Sequence, residues 1–344
     1  MQEDKIKTIE SDILSNQDKL KDNKFKSGCL IVKEANTWID EAKNRPIPNM
    51  LFSELWYENE VCILFSDTNN GKSVLAVQIG ESISTGIPIK EFKLESEPKK
   101  VLYLDFELSD KQFENRYSEN YQNHYKFNTN FLRAEIDTEL DIPKKYKGVE
   151  DYLCDTLDET IKTHNVSVLI IDNLTFLSSE NEKAKDALVL MKTLKKLSRK
   201  LNLSILVLAH TPKRDQSKPL TKDHLAGSKM LMNFCDSSFA IGTSSQNHSY
   251  KYIKQIKQRN TEHIYHSENI ILCNIEKQKN FLGFQFIDFD DERSHLKAFD
   301  TTNTEEENQH IKHLVLEGLS NVKIGETLGL TEGAIRKRRK KIGI

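Results

Sequence analysis

The segment Val61–Gly86 constrains the fold most, because it has the pattern of a buried strand, a tight loop and a helix. Its first residues form a continuous apolar run without proline, as in a strand buried on both faces. Gly71 in the loop permits backbone angles that other residues avoid. The next stretch is amphipathic, with Leu75, Ile79 and Ile83 on one helical face. The segment therefore predicts a strand, loop and helix unit of an α/β protein.

A phosphate-binding site is predicted where this helix begins. Lys72 and Ser73 follow Gly71 at a helix N-terminus, where backbone N–H groups attract anions. A lysine here reaches β and γ phosphates, and a serine hydroxyl ligates magnesium. The full P-loop pattern has a glycine five residues before Gly71, where this chain has Ser66. The loop, which includes Asn70, predicts binding of ATP and Mg²⁺; the alternative is a Gly-Lys-Ser turn in an ordinary α/β protein.

The composition limits the possible classes of protein. A chain of 344 residues allows one large domain and one small one, since a single core stops growing at about 250 residues. The formal net charge of −2 means that nucleic-acid binding would need local basic patches. Five scattered cysteines argue against a disulfide framework or a zinc site and fit a reducing cytoplasm. With neither a membrane-length apolar span nor a signal-peptide pattern, a cytoplasmic protein without membrane association is expected.

After the loop, apolar runs alternate with helical stretches, which predicts a mostly parallel sheet with helices on both faces. The predicted strands of this part are Val101–Phe106, Phe131–Ile136, Val166–Ile171 and Ser204–Ala209. The clearest helix has one apolar stripe, formed by Leu190, Leu194, Leu197 and Leu201. Beyond Asp236, closely spaced strands predict an antiparallel extension. These strands are Ser238–Ile241, Tyr250–Gln255, Asn269–Ile275 and Phe281–Phe289.

Polar residues follow three of the predicted strands at the edge where ligands collect in parallel sheets. Glu107 would orient or deprotonate an attacking water; alternatively it is a solvated carboxylate. Asp172 ends a buried strand and is the expected magnesium partner in a phosphate-loop protein. His210 would hydrogen-bond a γ-phosphate, or is merely satisfied at a strand end.

Two segments are candidates for DNA binding. The loop after His210 contains Lys213, Arg214, Lys218 and Lys222 and would track a phosphate backbone, although a solvated loop is the alternative because no aromatic residue is interleaved. Near the C-terminus, two short apolar helices and a turn at Gly329 precede a third helix capped by Thr331. The third helix ends in the basic run Arg336, Lys337, Arg338, Arg339, Lys340 and Lys341. This arrangement resembles the helix-turn-helix of resolvases and response regulators; a solvated tail is the alternative.

The order of these motifs resembles the RecA-type hexameric ATPases, particularly RepA-type plasmid helicases and DnaB-type replicative helicases. The resemblance extends over about residues 50 to 290 and rests on SDTNNGKS, Glu107, Asp172, His210 and Lys257-Gln258-Arg259-Asn260. It implies that Glu107 activates water. It also implies that Lys257 and Arg259 reach the nucleotide of a neighbouring subunit, whereas the residues alone favour an exposed strand face.

The predicted fold is an α/β, RecA-type P-loop NTPase core at residues 28–300, with a mostly parallel sheet and an antiparallel extension. A flexible arm at 1–27, a linker at 301–309 and an all-α helix-turn-helix domain at 310–344 complete it. The expected function is Mg²⁺-dependent ATP hydrolysis coupled to DNA binding or translocation. The expected setting is replication or mobilisation of a plasmid or other mobile element, by a homo-oligomeric hexameric ring. The alternative is a DNA-binding regulator, without motor activity, in which ATP only sets the assembly state.

Overall fold

The computed structural model describes residues 26–137, 139, 141–146, 149–173, 183–225, 228–297, 301–328 and 330–344. The chain divides into two compact units, one ending at Pro48 and one beginning at Asn49. Most of the arm predicted at 1–27, and the turn predicted at Gly329, lie outside the described residues. No helix in the described ranges is long and apolar enough to cross a membrane.

The strands and helices are numbered in chain order. The strands are β1 Lys26–Ser27, β2 Leu30–Ile31, β3 Met50–Phe52, β4 Trp56–Tyr57, β5 Val61–Ser66, β6 Val101–Asp105, β7 Ser118–Glu119, β8 Asn123–His124, β9 Phe131–Ala134, β10 Val168–Asp172, β11 Ser204–His210, β12 Ser237–Thr243, β13 Tyr250–Lys257, β14 Ile270–Gln278 and β15 Phe281–Asp290. The α-helices are α1 Ala35–Lys43, α2 Lys72–Thr85, α3 Asp110–Arg116, α4 Val149–His164, α5 Lys183–Leu201, α6 Ser228–Phe234, α7 Thr301–Leu316, α8 Asn321–Leu328 and α9 Glu332–Ile342.

A nine-stranded sheet forms the centre of the second unit, within the residues described, in the order β15-β14-β13-β12-β5-β11-β10-β6-β9. From β12 to β9 in this order, each adjacent pair of strands is parallel. The pairs β12–β13, β13–β14 and β14–β15 are antiparallel. The predicted α/β fold with a large, mostly parallel sheet is therefore confirmed.

The prediction for Ser238–Ile241 is only partly right, because this segment pairs antiparallel with β13 on one side and parallel with β5 on the other. It lies in β12, where Ile241 is aligned in parallel with Ser66 of β5. A parallel neighbour requires a crossover rather than a tight turn, and α6 lies in the chain between β11 and β12. β12 is therefore the strand at which the sheet changes from parallel to antiparallel pairing.

Apolar side chains cover both faces of the sheet. One layer contains Leu157 and Ile161 of α4 and Leu194 and Leu197 of α5, in agreement with the predicted apolar stripe. The other layer contains the apolar side chains of α2. The sheet is thus sandwiched between helices, as expected for an α/β protein.

Helix α2 is more deeply buried than its predicted amphipathic pattern suggests. Its polar Gln78 donates to the Phe284 carbonyl at 3.0 Å and accepts from the Phe284 N–H at 2.7 Å. The start of β15 therefore covers the side of α2 that the amphipathic pattern predicted to be exposed to solvent. Gly71, at the N-terminus of α2, lies against the same hairpin, since an added Cβ would be 2.5 Å from Ile275 Cδ1.

The C-terminal helices α7, α8 and α9 form a small apolar cluster centred on Ile311, Leu314, Ile324 and Ile335. Thr331 caps α9 by accepting from the Ala334 N–H, as predicted. Residues 301–309, predicted as an acidic linker, are helical and form the first part of α7. The acidic run is rich in glutamate and glutamine, which favour helix, so high polarity alone did not exclude a helix.

Candidate active site

The phosphate loop joins the end of β5 to the start of α2. Gly71 is the residue before α2 and has a φ of +84°, in the left-handed region that favours glycine. Both this φ and the close contact with Ile275 explain why a side chain is excluded here. The first backbone N–H groups of α2, which a helix leaves without an intrahelical acceptor, thus begin at the loop, as an anion site requires.

Lys72 lies buried beneath this loop. Its ammonium Nζ donates to the carbonyl oxygens of Ser66 at 3.3 Å and Asp67 at 3.4 Å. Burial lowers the pKa of Lys72, while the nearby carboxylates of Asp172 and Glu107 act in the opposite direction. The lysine is thus a cation held by neutral carbonyl groups, which a phosphate would replace as partners.

Three predicted site residues converge at the carboxyl edge of the sheet. His210 at the end of β11 lies with Nδ1 3.1 Å from Lys72 Nζ and Nε2 3.3 Å from Glu107 Oε1. Contact with His210 holds the pKa of Glu107 below its usual value. Glu107 therefore keeps an ionised carboxylate near neutral pH, as a base for water requires.

Asn173 is a site residue that the sequence reasoning missed. Its Nδ2 lies 2.9 Å from His210 Nε2 and also donates to Glu107 Oε1. The signal was present in the sequence, because Asn173 directly follows the acid that ends β10. Its amide lies beside the imidazole and donates to the candidate base, so it helps to hold Glu107 in place.

Asp172 is the best candidate for a metal ligand. It is the last residue of β10, and its Oδ2 accepts from the Tyr103 hydroxyl at 2.6 Å. Burial raises the pKa of Asp172 to about 6, although hydrogen bonds from Ser73 and Tyr103 favour the charged form. Its buried Oδ1 has no hydrogen-bond partner among the described residues. An unpartnered carboxylate oxygen near the Ser73 hydroxyl suits Mg²⁺, which prefers oxygen ligands and keeps several waters.

A metal site made only of protein side chains is not found here. Among the described residues, no group of three or more His, Cys, Asp or Glu side chains could hold a metal ion. Mg²⁺ bound through one or two protein oxygens and substrate phosphates needs no such group. Ser73 and Asp172 therefore fit a nucleotide-dependent magnesium site.

Asp105 and Arg133 position the loop that carries Glu107. Asp105 Oδ1 accepts from the backbone N–H groups of Glu107 at 3.1 Å and Leu108 at 2.9 Å. Arg133 Nε donates to Asp105 Oδ2 at 3.0 Å, and its Nη2 donates to the Leu108 carbonyl at 2.8 Å. Asp105 could be found as the acid that ends an apolar strand, whereas nothing in the local sequence marks Arg133.

The family of the chain follows from comparison with known proteins. A family model described as AAA domain matches residues 32–216, more than half of the chain. The chain belongs to the AAA domain family. This is a family of P-loop ATPases that bind nucleotide and, typically, Mg²⁺, so the coarse prediction of a P-loop ATPase is confirmed. The match contains the phosphate loop, Glu107, Asp172 and His210.

Comparison with solved structures gives a distant similarity. The chain is similar to a KaiC-like protein from the hyperthermophilic archaeon Pyrococcus horikoshii OT3, with 13% sequence identity and a TM-score of 0.44. The similarity covers 67% of this chain and 91% of that one. No curated protein matches the sequence.

Arg214, at the end of the AAA domain match, contacts the phosphate loop. Its side chain is only 4% exposed, and Nε donates to Asp67 Oδ2 at 3.1 Å. Thr211 also donates to Asp67 through its hydroxyl. In this conformation the Arg214 guanidinium holds the phosphate loop, and its predicted DNA contact stays untested. Lys213 is exposed, so its predicted DNA contact stays a prediction.

Lys257 and Arg259 lie outside the AAA domain match and away from the phosphate loop of their own chain. Lys257 Nζ donates to the carbonyl oxygens of Cys235, at 2.7 Å, and Met232. Arg259 is 54% exposed and pairs with Asp236, which also accepts from the N–H of Val61 at the start of β5. The loop lies at the other end of this strand, ~17 Å away at the usual rise per residue. A role in the same subunit is thus excluded in this conformation, and the predicted role in a neighbour is untested.

The basic run of α9 divides into two groups. Four of its side chains are exposed, namely Arg336, Lys337, Lys340 and Lys341. Their spacing places these four on one side of the helix. Arg339 is partly buried and donates to Asn321 Oδ1 at 2.7 Å, which ties α9 to the start of α8. The exposed four, referred to below as the α9 basic face, are the residues available to a DNA backbone.

Proposed function

We propose that this AAA domain protein hydrolyses ATP at the carboxyl edge of its sheet and couples hydrolysis to DNA. The supporting observation is the convergence of Lys72, Glu107, Asp172 and His210 at the adjacent ends of β5, β6, β10 and β11. Asp172 and His210 end buried strands, Glu107 follows a third, and Lys72 begins the helix after β5, so the rigid sheet fixes their separation. Such preorganisation is the main contribution that a protein makes to phosphoryl transfer.

The proposed reaction is attack of water on the γ-phosphorus of ATP. Glu107 accepts a proton from the water as its oxygen bonds to phosphorus, and the bond from phosphorus to the β–γ bridging oxygen breaks. The products are ADP and inorganic phosphate. Lys72 neutralises charge on the phosphates, and His210 with Asn173 holds Glu107 in place. Ser73 and Asp172 would hold Mg²⁺, which when bound supplies further positive charge to the phosphate oxygens.

DNA coupling is proposed from the C-terminal helices. The α9 basic face presents four cations on a capped helix that packs on two others, in the order of the helix-turn-helix suggested by the sequence. Cations on one helical face suit a phosphate backbone. A role in replication or mobilisation of a plasmid or other mobile element rests on the sequence resemblance to RepA-type plasmid helicases.

A homo-oligomeric ring, hexameric by the same resemblance, is proposed from the position of Arg259. Its half-exposed guanidinium lies at the edge opposite the phosphate loop, with Asp236 as an ion-pair partner. From there an arginine can reach the nucleotide of another subunit but not that of its own, and its planar fork is suited to this role. This arrangement requires heterologous, head-to-tail contacts that close on themselves.

The discriminating experiment is the ATPase rate of the full chain, with and without single-stranded and double-stranded DNA. A motor is expected to accelerate several-fold on its track. A rate that DNA leaves unchanged, together with ATP-dependent DNA affinity, would favour the alternative of an ATP-controlled regulator without motor activity. Absence of ATP hydrolysis with Mg²⁺ under every condition would contradict both the motor and its proposed chemistry.

A further inference from the structure

A chain of hydrogen bonds connects the phosphate loop to the antiparallel part of the sheet. The hydroxyl of Thr243, at the end of β12, donates to Asn70 Oδ1 at 2.7 Å. The ammonium of Lys251 in β13 donates to the same hydroxyl oxygen at 3.2 Å and to the His248 carbonyl at 3.2 Å. These contacts are named here the Lys251–Thr243–Asn70 relay, and Thr243 and Lys251 lie outside the residues assigned above to ATP binding and hydrolysis.

Sheet register explains why the relay reaches the loop. Ile241 of β12 is aligned with Ser66, the last residue of β5, so Thr243 extends two residues past that end. Thr243 and Lys251 are directly paired across β12 and β13. The sheet therefore places the Thr243 hydroxyl and the Lys251 ammonium at the level of the phosphate loop.

The donors of the relay determine the orientation of the Asn70 amide. Lysine only donates, so the Thr243 oxygen accepts from Lys251 and keeps its own proton for Asn70 Oδ1. This network assigns Oδ1 to the Thr243 side and leaves Nδ2 on the other side. Nδ2 is buried without a hydrogen-bond partner among the described residues, in a residue only 6% exposed. A buried donor without a partner is costly, and such a group requires an explanation.

Lys251 shows a second unsatisfied feature, its charge. The residue is 8% exposed, and no carboxylate in the described part of the chain lies within ion-pair distance of it. Lys254, on the same strand, is equally buried but pairs with Glu292 at 2.5 Å. Burial without a counter-charge lowers the pKa of Lys251. An anion bound nearby would supply the missing compensation.

We propose that Lys251 and Thr243 are positioning residues that orient Asn70 so that its Nδ2 donates to the polyphosphate of a bound nucleoside di- or triphosphate. The proposal rests on the proposed function, because it places the phosphates in the same loop. Nδ2 is closed to solvent in this conformation, so its contact forms as the loop opens around the phosphates and draws Lys72 from its carbonyl partners. Lys251 then adds a second positive charge behind the loop.

The test uses the full chain, with Mg²⁺, and measures affinity for ATP, ADP and AMP together with kcat at saturating ATP. Thr243→Val removes the hydroxyl at nearly constant volume, and Thr243→Ser retains it. Lys251→Met removes the charge. Thr156→Val on α4 is the matched control, since the hydrogen bond that its hydroxyl makes among the described residues stays within its own helix, to the Tyr152 carbonyl. Melting temperature verifies that each variant is folded.

Thr243→Val and Lys251→Met are each expected to weaken ATP and ADP binding by about tenfold, since each leaves a buried polar group unpaired. AMP binding should change little, and kcat should stay within about twofold of the parent. Thr243→Ser and Thr156→Val should bind ADP normally. The double variant should lose much less than the product of the two single losses, because the two residues act through one amide.

Several outcomes would overturn the relay. Unchanged ADP affinity in folded Thr243→Val and Lys251→Met would contradict it. Equal losses of affinity for AMP and ADP would also contradict it, because they indicate a general structural effect. Lys72→Ala separates this failure from failure of the proposed function. If Lys72→Ala abolishes ADP binding while the relay variants bind normally, only the relay is wrong. A parent protein that binds no ADP would contradict the proposed function itself.

Discussion

The imidazole Nδ1 of His210 lies 3.1 Å from the ammonium Nζ of Lys72. The other ring nitrogen, Nε2, is 3.3 Å from the carboxylate of Glu107. One side chain at the end of β11 thus contacts both the cation assigned to the phosphates and the base assigned to water. A change at the γ-phosphate would therefore alter the contacts that His210 makes. His210 also lies at the start of the loop that contains Arg214, which donates to Asp67 of the phosphate loop.

Replacing the imidazole should shift the pH dependence of hydrolysis. Contact with His210 is the largest cause of the lowered pKa of Glu107. In His210→Ala that pKa should rise, so the carboxylate ionises only at higher pH and the acidic limb of the kcat profile moves upward. Measurement of kcat against pH at saturating ATP checks the direction. An acidic limb at the parent position would contradict the role of His210.

Lys72→Ala and Glu107→Gln should separate binding from turnover. The first should abolish hydrolysis and sharply weaken ATP binding, because it removes the cation of the loop. The second should bind ATP normally and lower kcat by about 10²-fold or more, because an amide cannot accept the proton of water. The control is Glu119→Gln, an exposed carboxylate in β7. Parent-like turnover in either site variant would refute its assigned role.

A mixing experiment tests the ring. Arg259→Ala should bind ATP normally but hydrolyse it slowly, and adding Lys72→Ala protein should restore part of the rate. A mixed interface pairs an intact phosphate loop with an intact arginine from the neighbour. Sedimentation with ATP measures the assembly state in parallel. Failure of rescue together with a monomeric mass would exclude action between subunits.

Neutralising the α9 basic face should remove most duplex DNA binding and leave basal ATPase unchanged. The quadruple change of Arg336, Lys337, Lys340 and Lys341 to Gln leaves the Arg339 contact with Asn321 intact, so the helices should stay packed. The DNA affinity of the parent should fall steeply as the salt concentration rises. In the variant, the slope of log affinity against log salt concentration should be smaller in magnitude by up to about four. Lys323→Gln, an exposed cation of α8, is the control. Equal affinity of variant and parent would move DNA binding to another surface.

Stability should depend on pH through Glu60, which lies just before β5. Burial raises the pKa of Glu60 to about 7, from 4.5. Because the folded-state pKa is the higher one, the stability contributed by the protonated form is complete below pH 4.5 and is lost as pH rises through about 7. The parent should lose up to about 3 kcal/mol of unfolding free energy over this range relative to Glu60→Gln. Denaturant unfolding at several pH values measures this, and parallel curves for the two proteins would contradict it.

Much of the core site was predictable because it is local in sequence. Gly71, Lys72 and Ser73 form one short motif, and Asp172 and His210 each end an apolar run. The rule that ligands collect at the carboxyl edge of a parallel sheet brings such residues together without any coordinates. The same rule applies to Asn173, which directly follows β10. It was not predicted as a site residue because only the acid that ends the strand was assigned a role.

The remaining features depend on contacts between residues that are distant in sequence. Arg214 has the surroundings of a solvated basic loop, yet its partner Asp67 is 147 positions earlier. A strand pattern cannot distinguish Lys251, which is buried with no carboxylate of the described residues within ion-pair distance, from an exposed lysine on a sheet edge. The direction of β12 depends on which neighbour it pairs with, and alternation of apolar residues is the same in both cases.

The packing of β15 against α2 has a consequence for synthesis of the chain. The phosphate loop is complete in sequence at Ser73, but Phe284, which bonds to Gln78 of α2, leaves the ribosome more than two hundred residues later. Until then, the nascent chain must keep one side of its nucleotide-binding helix uncovered. Ribosome-bound intermediates that end before the β14–β15 hairpin should therefore be the clients on which chaperones act.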